Sequence, residues 1–384
     1  MSFTICEMER CTGCGVCADV CPCSAITLAR DEYGFTRPAI DASLCVECGA
    51  CRDTCPVNRE ASGKTMEVYA AFAKDVKIRK MSSSGGVFRL LADETLKDGG
   101  VVAAVGYDGD FGAVYKTATL PEELDDLMGS KYTEARSDGI YSKVKAHLDS
   151  GRKVLFVGTP CRAAALKSFV GECENLLLVD IICHGVPSPV LLEKYLDEEF
   201  GKDISSLSFR DKSRGWQEFS MKVETKDDKP YIGSRYKDPF IRLFLSNTAL
   251  RDSCYECRFK KDHYVSDVTL GDFWGISSCI PSMNDDKGTS AVIVRTEKGA
   301  AAFEKISDKL TYKVASEQAL ASSNAPLVKS SSRSNGRDRL LEMLKEDTSF
   351  SAIAEEFGKP LSAKAIVRER ALRIVKIMLG KVKK

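Results

Sequence analysis

Eight cysteines near the start of the chain follow one pattern twice. Each copy reads Cys-x-x-Cys-Gly-x-Cys-x-Asp-x-Cys-Pro, and the second copy lies 34 residues after the first. The repeated cysteines are Cys11, Cys14, Cys17 and Cys21, then Cys45, Cys48, Cys51 and Cys55. This repeat constrains the fold strongly, because a four-iron cluster needs four thiolates that point inward from a tight wrap of backbone.

The spacing also predicts which cysteines share a cluster. Three cysteines of one loop bind one cluster, and the fourth, next to proline, binds the other cluster of the pair. We therefore assign Cys11, Cys14, Cys17 and Cys55 to one 4Fe-4S cluster, and Cys45, Cys48, Cys51 and Cys21 to the other. Zinc is the alternative metal, but it usually binds between two separated Cys-x-x-Cys pairs. The segment resembles the bacterial two-cluster ferredoxins, which predicts a 4Fe-4S ferredoxin domain over residues 1–60.

Composition limits the class of protein. A chain of 384 residues with 43% hydrophobic and 29% charged residues is typical of a globular protein of two or three domains. It contains no apolar stretch near the ~20 residues of a membrane span, and its start lacks the features of a signal peptide. Sixteen cysteines then indicate metal or redox chemistry in a reducing compartment, so we expect a cytoplasmic protein. A net charge of +1 argues against a nucleic-acid partner.

Past residue 65 the chain alternates strands and helices, after a short polar linker over residues 60–65. Strands are predicted over 68–73, 100–105, 153–157, 176–182 and 265–270, and helices from residue 87 and over 138–148, 160–169 and 189–200. Residues 204–210 and 217–225 alternate like the two strands of a hairpin. The order predicts an α+β multidomain protein, in which a two-cluster ferredoxin domain is followed by a mixed α/β body.

The body contains four candidate metal ligands among its six cysteines. Cys254-x-x-Cys257 has ligand spacing, which on its own fits zinc, an iron-sulfur cluster, a redox pair or no site. Cys161 and Cys183 each come after an apolar strand, and in an open α/β sheet functional sites gather at the carboxyl ends of strands. Together these positions can supply four thiolates.

Six motifs in the body occur in an order that resembles a known family. They are Ser83-Ser84-Gly85-Gly86, Gly129-Ser130-Lys131-Tyr132, Gly158-Thr159-Pro160-Cys161, Cys183-His184-Gly185-Val186-Pro187-Ser188, Cys254-x-x-Cys257 and Gly271-Asp272-Phe273-Trp274-Gly275. Over about residues 1–310 the chain resembles the coenzyme F420 hydrogenase/dehydrogenase beta-subunit family. The resemblance implies the family's N-terminal domain at residues 66–150 and its C-terminal domain at residues 151–320. It also implies an oxidoreductase that holds FAD beside a third 4Fe-4S cluster, with Cys161, Cys183, Cys254 and Cys257 as ligands.

The same motifs contain the candidate FAD contacts. The serine–glycine turn before a helix offers hydroxyl and backbone N–H groups to a pyrophosphate, or is simply a helix cap. Lys131 either meets phosphate charge or is a solvated surface lysine, and Trp274 is either a platform for a planar ring or a core residue. The predicted contacts are Ser83, Ser84, Gly85, Gly86, Ser130, Lys131, Tyr132, Thr159, Gly271, Asp272 and Trp274. The sequence assigns no catalytic residue.

Electron counting gives the reason for a flavin. A 4Fe-4S cluster passes one electron at a time, whereas deazaflavin and nicotinamide coenzymes deliver two as hydride, and a flavin handles both. We therefore predict a deazaflavin or other two-electron coenzyme and a redox partner protein as partners. Two alternatives stay open: a non-enzymatic electron-transfer protein that docks on a partner, and an NAD(P)H- or ferredoxin-dependent reductase of another metabolite. A homo-oligomer also stays open.

Residues 321–384 have no counterpart in the family resemblance. Serine, glycine and basic residues over 330–339 predict an exposed linker. The last segment predicts a helix with an apolar stripe of Val367, Ala371, Ile374, Val375, Met378 and Val382, and with Lys364, Arg368, Arg370, Arg373, Lys376 and Lys381 on its other faces. Such a basic amphipathic helix either lies on an anionic membrane, which would place the protein at the inner membrane face, or docks on protein.

Overall fold

The N-terminal region is built on the cysteine repeat. The computed structural model describes residues 4–226 and 229–382, with side chains up to residue 372 and at Val375. The region contains helix α1 (Val16–Asp19), strands β1 (Ile26–Arg30) and β2 (Thr36–Ile40), helix α2 (Ala50–Thr54) and 3-10 turns at Met8–Arg10 and Pro56–Asn58. The two strands pair antiparallel. Each helix starts at a glycine in the left-handed conformation, Gly15 at φ 83° and Gly49 at φ 78°, so the two copies of the repeat fold alike.

A sheet of eight strands forms the centre of the body. The strands after residue 66 are β3 (Glu67–Ala73), β4 (Val101–Tyr107), β5 (Ala113–Ala118), β6 (Val154–Gly158), β7 (Leu176–Ile181), β8 (Ile204–Asp211), β9 (Ser220–Thr225), β10 (Tyr231–Ser234), β11 (Val268–Asp272), β12 (Ser290–Val294) and β13 (Leu310–Val314). The order in the large sheet is β13-β3-β12-β11-β7-β6-β4-β5. Strands β3, β4, β6, β7 and β11 run in one direction, and β5, β12 and β13 run in the other. The carboxyl ends of the five parallel strands therefore lie at one edge.

Helices cover both faces of this sheet. The helices of the body are α3 (Val76–Met81), α4 (Val87–Lys97), α5 (Leu124–Leu127), α6 (Ile140–Asp149), α7 (Pro160–Val170), α8 (Pro189–Phe200), α9 (Pro239–Leu245), α10 (Asp252–Tyr255), α11 (Ile276–Cys279), α12 (Glu297–Ser307), α13 (Glu317–Ser323), α14 (Ala325–Val328), α15 (Arg337–Lys345), α16 (Phe350–Phe357) and α17 (Ala363–Val382). Helices α4, α5 and α12 pack on one face, where Val102 and Ala104 point, and α6 and α7 pack on the other, where Val101 and Ala103 point. The predicted mixed α/β body is confirmed.

A second core lies around the small sheet β10-β9-β8. Helices α8, α9, α15 and α16 pack there. Two expectations were wrong here. The predicted hairpin has a third strand, β10, which shows little apolar alternation in the sequence. The predicted linker over residues 330–339 runs into helix α15, whose first residue, Arg337, is fully buried and lies 2.8 Å from a carboxylate oxygen of Asp252.

The N-terminal region packs directly on the body. Val16 and Cys14 belong to the same hydrophobic cluster as the body helix α6. The hydroxyl of Tyr141 donates to the carbonyl of Cys14 at 3.0 Å, and the hydroxyl of Ser188 donates to the carbonyl of Tyr33. The region is thus not an independent unit on a flexible linker, although the repeat alone suggested a separate core.

The C-terminal helix α17 lies mostly on the surface. Arg370 forms an ion pair with Glu218, with atoms 2.5 Å apart, and Glu369 pairs with Arg235. Val367 of the predicted stripe is 64% exposed and Val375 is 48% exposed. The side chains of Ile374, Met378 and Val382, and of the cations Arg373, Lys376 and Lys381, lie outside the described residues. Along the described chain, no helix combines the length and apolar character of a membrane span.

Candidate functional site

The first ferredoxin site brings together the four cysteines assigned to it. Cys11, Cys14 and Cys17 come from the loop that leads into α1, Cys55 follows α2, and all four are buried. Burial and then the charges of Cys14, Cys11 and Cys55 raise the pKa of the Cys17 thiol. Because such electrostatic effects act over short distances, the four sulfurs occupy one neighbourhood. A fifth thiol, Cys6, is hydrogen-bonded to Cys11 and Cys55, and this raises its own pKa.

The second ferredoxin site is a small surface pocket. Cys21, Cys45, Cys48 and Cys51 all line it, as does Cys23. The sulfurs of Cys21 and Cys23 lie 3.7 Å apart. Cys48 is exposed, so this site faces the outside, whereas the cysteines of the first site lie beneath the body.

The body cysteines meet at the carboxyl edge of the sheet. Cys161 lies in the first turn of α7, directly after β6, and Cys183 follows the neighbouring parallel strand β7. Cys254, in α10, joins them: burial and the charges of Cys183, Cys257 and Cys161 raise its pKa. The amine of Lys260 donates to the carbonyl of Cys183 and, at 2.6 Å, to that of Pro326.

The cysteine groups fit clusters better than single ions. Within the part of the chain that the structure describes, no three His, Cys, Asp or Glu side chains converge as ligands of one metal ion do. A four-iron cluster distributes its thiolates over four irons and does not need that convergence. The chemistry of the donors, four cysteines in each of three groups, is what such a cluster takes.

Several candidate FAD contacts converge on an arginine that the sequence did not reveal. Arg210, in β8, donates to the hydroxyl of Tyr132 at 3.1 Å and to a carboxylate oxygen of Asp272 at 2.5 Å. Its other terminal nitrogen lies 3.4 Å from the carbonyl of Ser83, whose hydroxyl accepts from the backbone N–H of Ser130 at 2.8 Å. We call Ser83, Ser130, Tyr132, Arg210 and Asp272 the Arg210 network. The side chain of Arg210 is only 4% exposed.

Trp274 forms an aromatic pair beside this network. Its ring stacks on Trp216 with centroids 4.8 Å apart and an angle of 8°. The indole N–H of Trp216 donates to Asp272 at 2.9 Å, and the guanidinium of Arg210 lies 5.4 Å from the ring of Trp274. Both expected roles of Trp274 agree with this half-buried position.

Other predicted FAD contacts have structural partners instead. The amine of Lys131 donates to the carbonyls of Asp126 and Met128, so the expected phosphate contact is not in place. The N–H of Gly85 donates to Ser290 at 2.9 Å, and a Cβ at Gly85 would lie 2.3 Å from the carbonyl oxygen of Ala71. Likewise, a Cβ at Gly271 would meet Ile182 at 2.6 Å. These glycines allow backbone and side chains of the protein to pack closely.

The remaining predicted residues border the body cysteines or keep an open group. The hydroxyl of Thr159 lies 3.2 Å from the sulfur of Cys161. Gly86 caps helix α4 in the left-handed conformation. The hydroxyl of Ser84 and the Nε of Arg210 are buried without a hydrogen-bond partner among the described atoms. Such orphaned polar groups fit a polar ligand such as the diphosphate of FAD.

Sequence comparisons agree with this arrangement. Two family models describe the N-terminal and C-terminal parts of the beta subunit of coenzyme F420 hydrogenase/dehydrogenase, and they match residues 68–137 and 151–319. Together they cover well over half of the chain. The chain belongs to the coenzyme F420 hydrogenase/dehydrogenase beta-subunit family. A 4Fe-4S dicluster domain matches residues 10–59, which confirms the resemblance to two-cluster ferredoxins.

The similar proteins include two curated relatives. The beta subunit of the coenzyme F420 hydrogenase of Methanococcus voltae is 24% identical over 255 residues, which is 64% of this chain and 82% of that protein. The F subunit of the F(420)H(2) dehydrogenase of Methanosarcina mazei is 23% identical over 321 residues, or 79% and 84% of the two chains. A xenon-derivatized structure of the F420-reducing NiFe hydrogenase complex from Methanosarcina barkeri contains a chain that matches with a TM-score of 0.46 and 18% identity, over 78% of this chain and 97% of that one. Hydrogenases and dehydrogenases are oxidoreductases, so the predicted enzyme class is confirmed.

Proposed function

We propose that the chain moves electrons between a reduced deazaflavin-type coenzyme and a redox partner protein, using FAD and three 4Fe-4S clusters. The observation that carries the proposal is the contact between the body cysteines and the Arg210 network. The ring of His184, next to Cys183, lies 4.9 Å from that of Phe244, and Phe244 lies 4.5 Å from Tyr132. A candidate flavin site and a candidate cluster site are therefore neighbours at one edge of the sheet.

The residues of this edge can bind and orient the cofactor. FAD supplies the conversion between hydride transfer and single-electron transfer. The open hydroxyl of Ser84 can donate to a phosphate oxygen, Arg210 adds a buried positive charge, and Trp274 presents a planar ring. Because F420 stands in the names of both curated relatives, a deazaflavin is the coenzyme we propose.

The second ferredoxin site is the proposed exit toward the partner protein. Cys48 there is exposed, and the neighbouring Val46 is 67% exposed. An apolar surface beside an accessible cluster suits docking of a redox protein without a large barrier to electron transfer. We retain the cytoplasm as the proposed location.

A second candidate function is that of an electron-transfer protein without flavin. Both terminal nitrogens of Arg210 already have protein acceptors, as does the amine of Lys131. This self-contained network favours the second candidate over other enzyme classes. The visible spectrum distinguishes the two, because only the flavoprotein has bound FAD after anaerobic purification.

Metal and flavin analysis tests the proposal directly. Three clusters imply about twelve irons for each chain, at four irons per cluster, with a similar amount of acid-labile sulfide and one FAD. Cys254→Ser should lower the iron content by about four, by the same count. Cys173→Ser is the matched control, because this body cysteine is not among the proposed ligands, and it should leave the iron content unchanged. Iron near eight in the wild type would remove the third cluster, and absent FAD would favour the second candidate.

The coenzyme is tested by flavin reduction. The anaerobic protein should lose its flavin absorbance on mixing with reduced F420 and should not respond to NADH or NADPH at equal concentration. Reduction by a nicotinamide alone would contradict the deazaflavin assignment while leaving the flavoprotein intact.

A further inference from the structure

Two buried arginines connect the body cysteines to the first ferredoxin site. Arg162 follows Cys161 in sequence, and its guanidinium donates to the carbonyl of Cys14. Arg251 precedes Cys254 by three residues, and its Nε donates to the carbonyl of Cys11 at 2.8 Å. Each arginine thus comes from a segment that carries a body cysteine and ends on a cysteine of the first site.

Arg251 also lies close to a candidate ligand atom. One of its terminal nitrogens is 3.8 Å from the sulfur of Cys11, and it donates to the carbonyl of Thr36 at 2.7 Å. Although burial opposes the charged form, the charges of Glu134, Cys11 and Cys254 raise the pKa of Arg251. The guanidinium is therefore a permanent positive charge between the two groups of cysteines.

Glu134 holds this charge in place. Its carboxylate oxygen lies 2.5 Å from Arg251, and both side chains are almost fully buried, at 1% exposure for Arg251 and 2% for Glu134. The other oxygen of Glu134 accepts from the backbone N–H of Thr36 at 2.9 Å. In such a low-dielectric position, removal of either charge changes the local field strongly.

The cysteine repeat provides an internal comparison. A Cβ at Gly13 would lie 2.7 Å from a terminal nitrogen of Arg251. The corresponding position of the second copy is Glu47, which has the same left-handed backbone at φ 52° and an exposed side chain. The backbone conformation thus tolerates a side chain, and it is the guanidinium that leaves no room for one at position 13.

We propose that Arg251, positioned by Glu134, raises the reduction potential of the cluster at Cys11, Cys14, Cys17 and Cys55. This inference rests on the proposed function. Reduction adds one negative charge to a cluster, and a nearby buried cation and its hydrogen bond to a thiolate stabilise that charge. Arg251 is a positioning residue that acts through the Cys11 thiolate and does not touch the substrate.

The test is a redox titration of the full-length, cluster-loaded protein, followed by electron paramagnetic resonance. The signal of the first site is identified as the one lost in Cys17→Ser, and that of the second site as the one lost in Cys51→Ser. Arg251→Gln should shift the midpoint of the first signal to more negative values, and Glu134→Gln should shift it to more positive values. Arg251→Lys should restore most of the wild-type midpoint. The second signal should move less in every variant.

Opposite shifts are the decisive result, because general damage to the site would move both variants in the same direction. Equal shifts in one direction, no shift, or equal movement of both signals would overturn the inference. Glu134→Gln keeps the shape of the side chain and its acceptor oxygen, so it tests the inference even if Arg251→Gln fails to fold. Iron analysis of the same samples separates the two proposals: about twelve irons with unmoved midpoints rejects this inference alone.

Discussion

Asp272 is the residue whose replacement tests the Arg210 network most directly. Its carboxylate accepts from Arg210 at 2.5 Å and from the indole of Trp216 at 2.9 Å. In Asp272→Asn, one of these donors faces the amide NH₂, and Arg210 loses the counter-charge of a pair that is only 4% and 13% exposed. Removing one partner of a buried pair typically costs about 3–5 kcal/mol.

The thermal midpoint gives a scale for this loss. With about 2.1 cal/mol/K of unfolding entropy per residue, the 384 residues lose about 1.2 °C for each kcal/mol if they unfold together. We therefore expect Asp272→Asn to lower the midpoint by about 4–6 °C. The measurement uses anaerobic, flavin-free protein at one scan rate, because bound flavin would add its own stabilisation.

Two further variants control the measurement. Asp149→Asn breaks the exposed pair with Lys145, which is worth about 0.5 kcal/mol at most, so its midpoint should hardly change. Asp272→Asn combined with Arg210→Met removes both charges and should recover part of the loss. A single Asp272→Asn variant within about 1 °C of the wild type would show that the pair does not hold the site together.

Three further predictions concern other parts of the molecule. Burial raises the pKa of Asp180 from 3.8 to about 7, so its neutral form stabilises the fold at low pH; between pH 5 and 8 the wild type should lose up to about 3 kcal/mol that Asp180→Asn retains, measured by denaturant unfolding at both pH values. A Cβ at Gly15 would lie 2.3 Å from Ser137, whereas one at Gly49 would have its nearest neighbour at 4.0 Å; Gly49→Ala should cost about 1–2 kcal/mol for its backbone and Gly15→Ala clearly more, and equal losses would contradict the packing of the N-terminal region on the body. A chain that ends at Lys359 should lose salt-sensitive binding to anionic vesicles in co-sedimentation, whereas equal binding by both chains would reject membrane contact through α17.

Local sequence signals predicted the centre of the fold well. Helix α7 begins at Pro160 and α8 at Pro189, and proline is favoured in the first helical turn because its missing N–H has no helical partner there. The apolar runs of β6 and β7 are long enough for buried strands and too short for helices. Because both strands lead into cysteine-bearing loops, the meeting of Cys161 and Cys183 was predictable from the sequence.

Long-range contacts were not predictable in the same way. Arg210 lies in a strand of the small sheet, and its partner Asp272 is 62 residues away, so no local pattern marks the pair. Arg337 lies in a serine-rich and basic segment that is typical of a linker, yet Asp252 pairs with it in the interior. Charged residues become buried when a distant partner compensates them, and a single sequence does not show that compensation.

The contact between the N-terminal region and the body also determines when the first cysteine loop is covered during synthesis. The residues that close over it come much later in the chain: Tyr141 is 127 residues after Cys14, and Arg251 is 240 residues after Cys11. At about 5–20 residues per second, ribosomes need about 10–40 s to extend a nascent chain from residue 60 to Arg251. During this interval the loop has left the ribosome while its cover does not yet exist. Iron can therefore reach Cys11, Cys14 and Cys17 from outside before the body folds over them, and the arginine contacts form last.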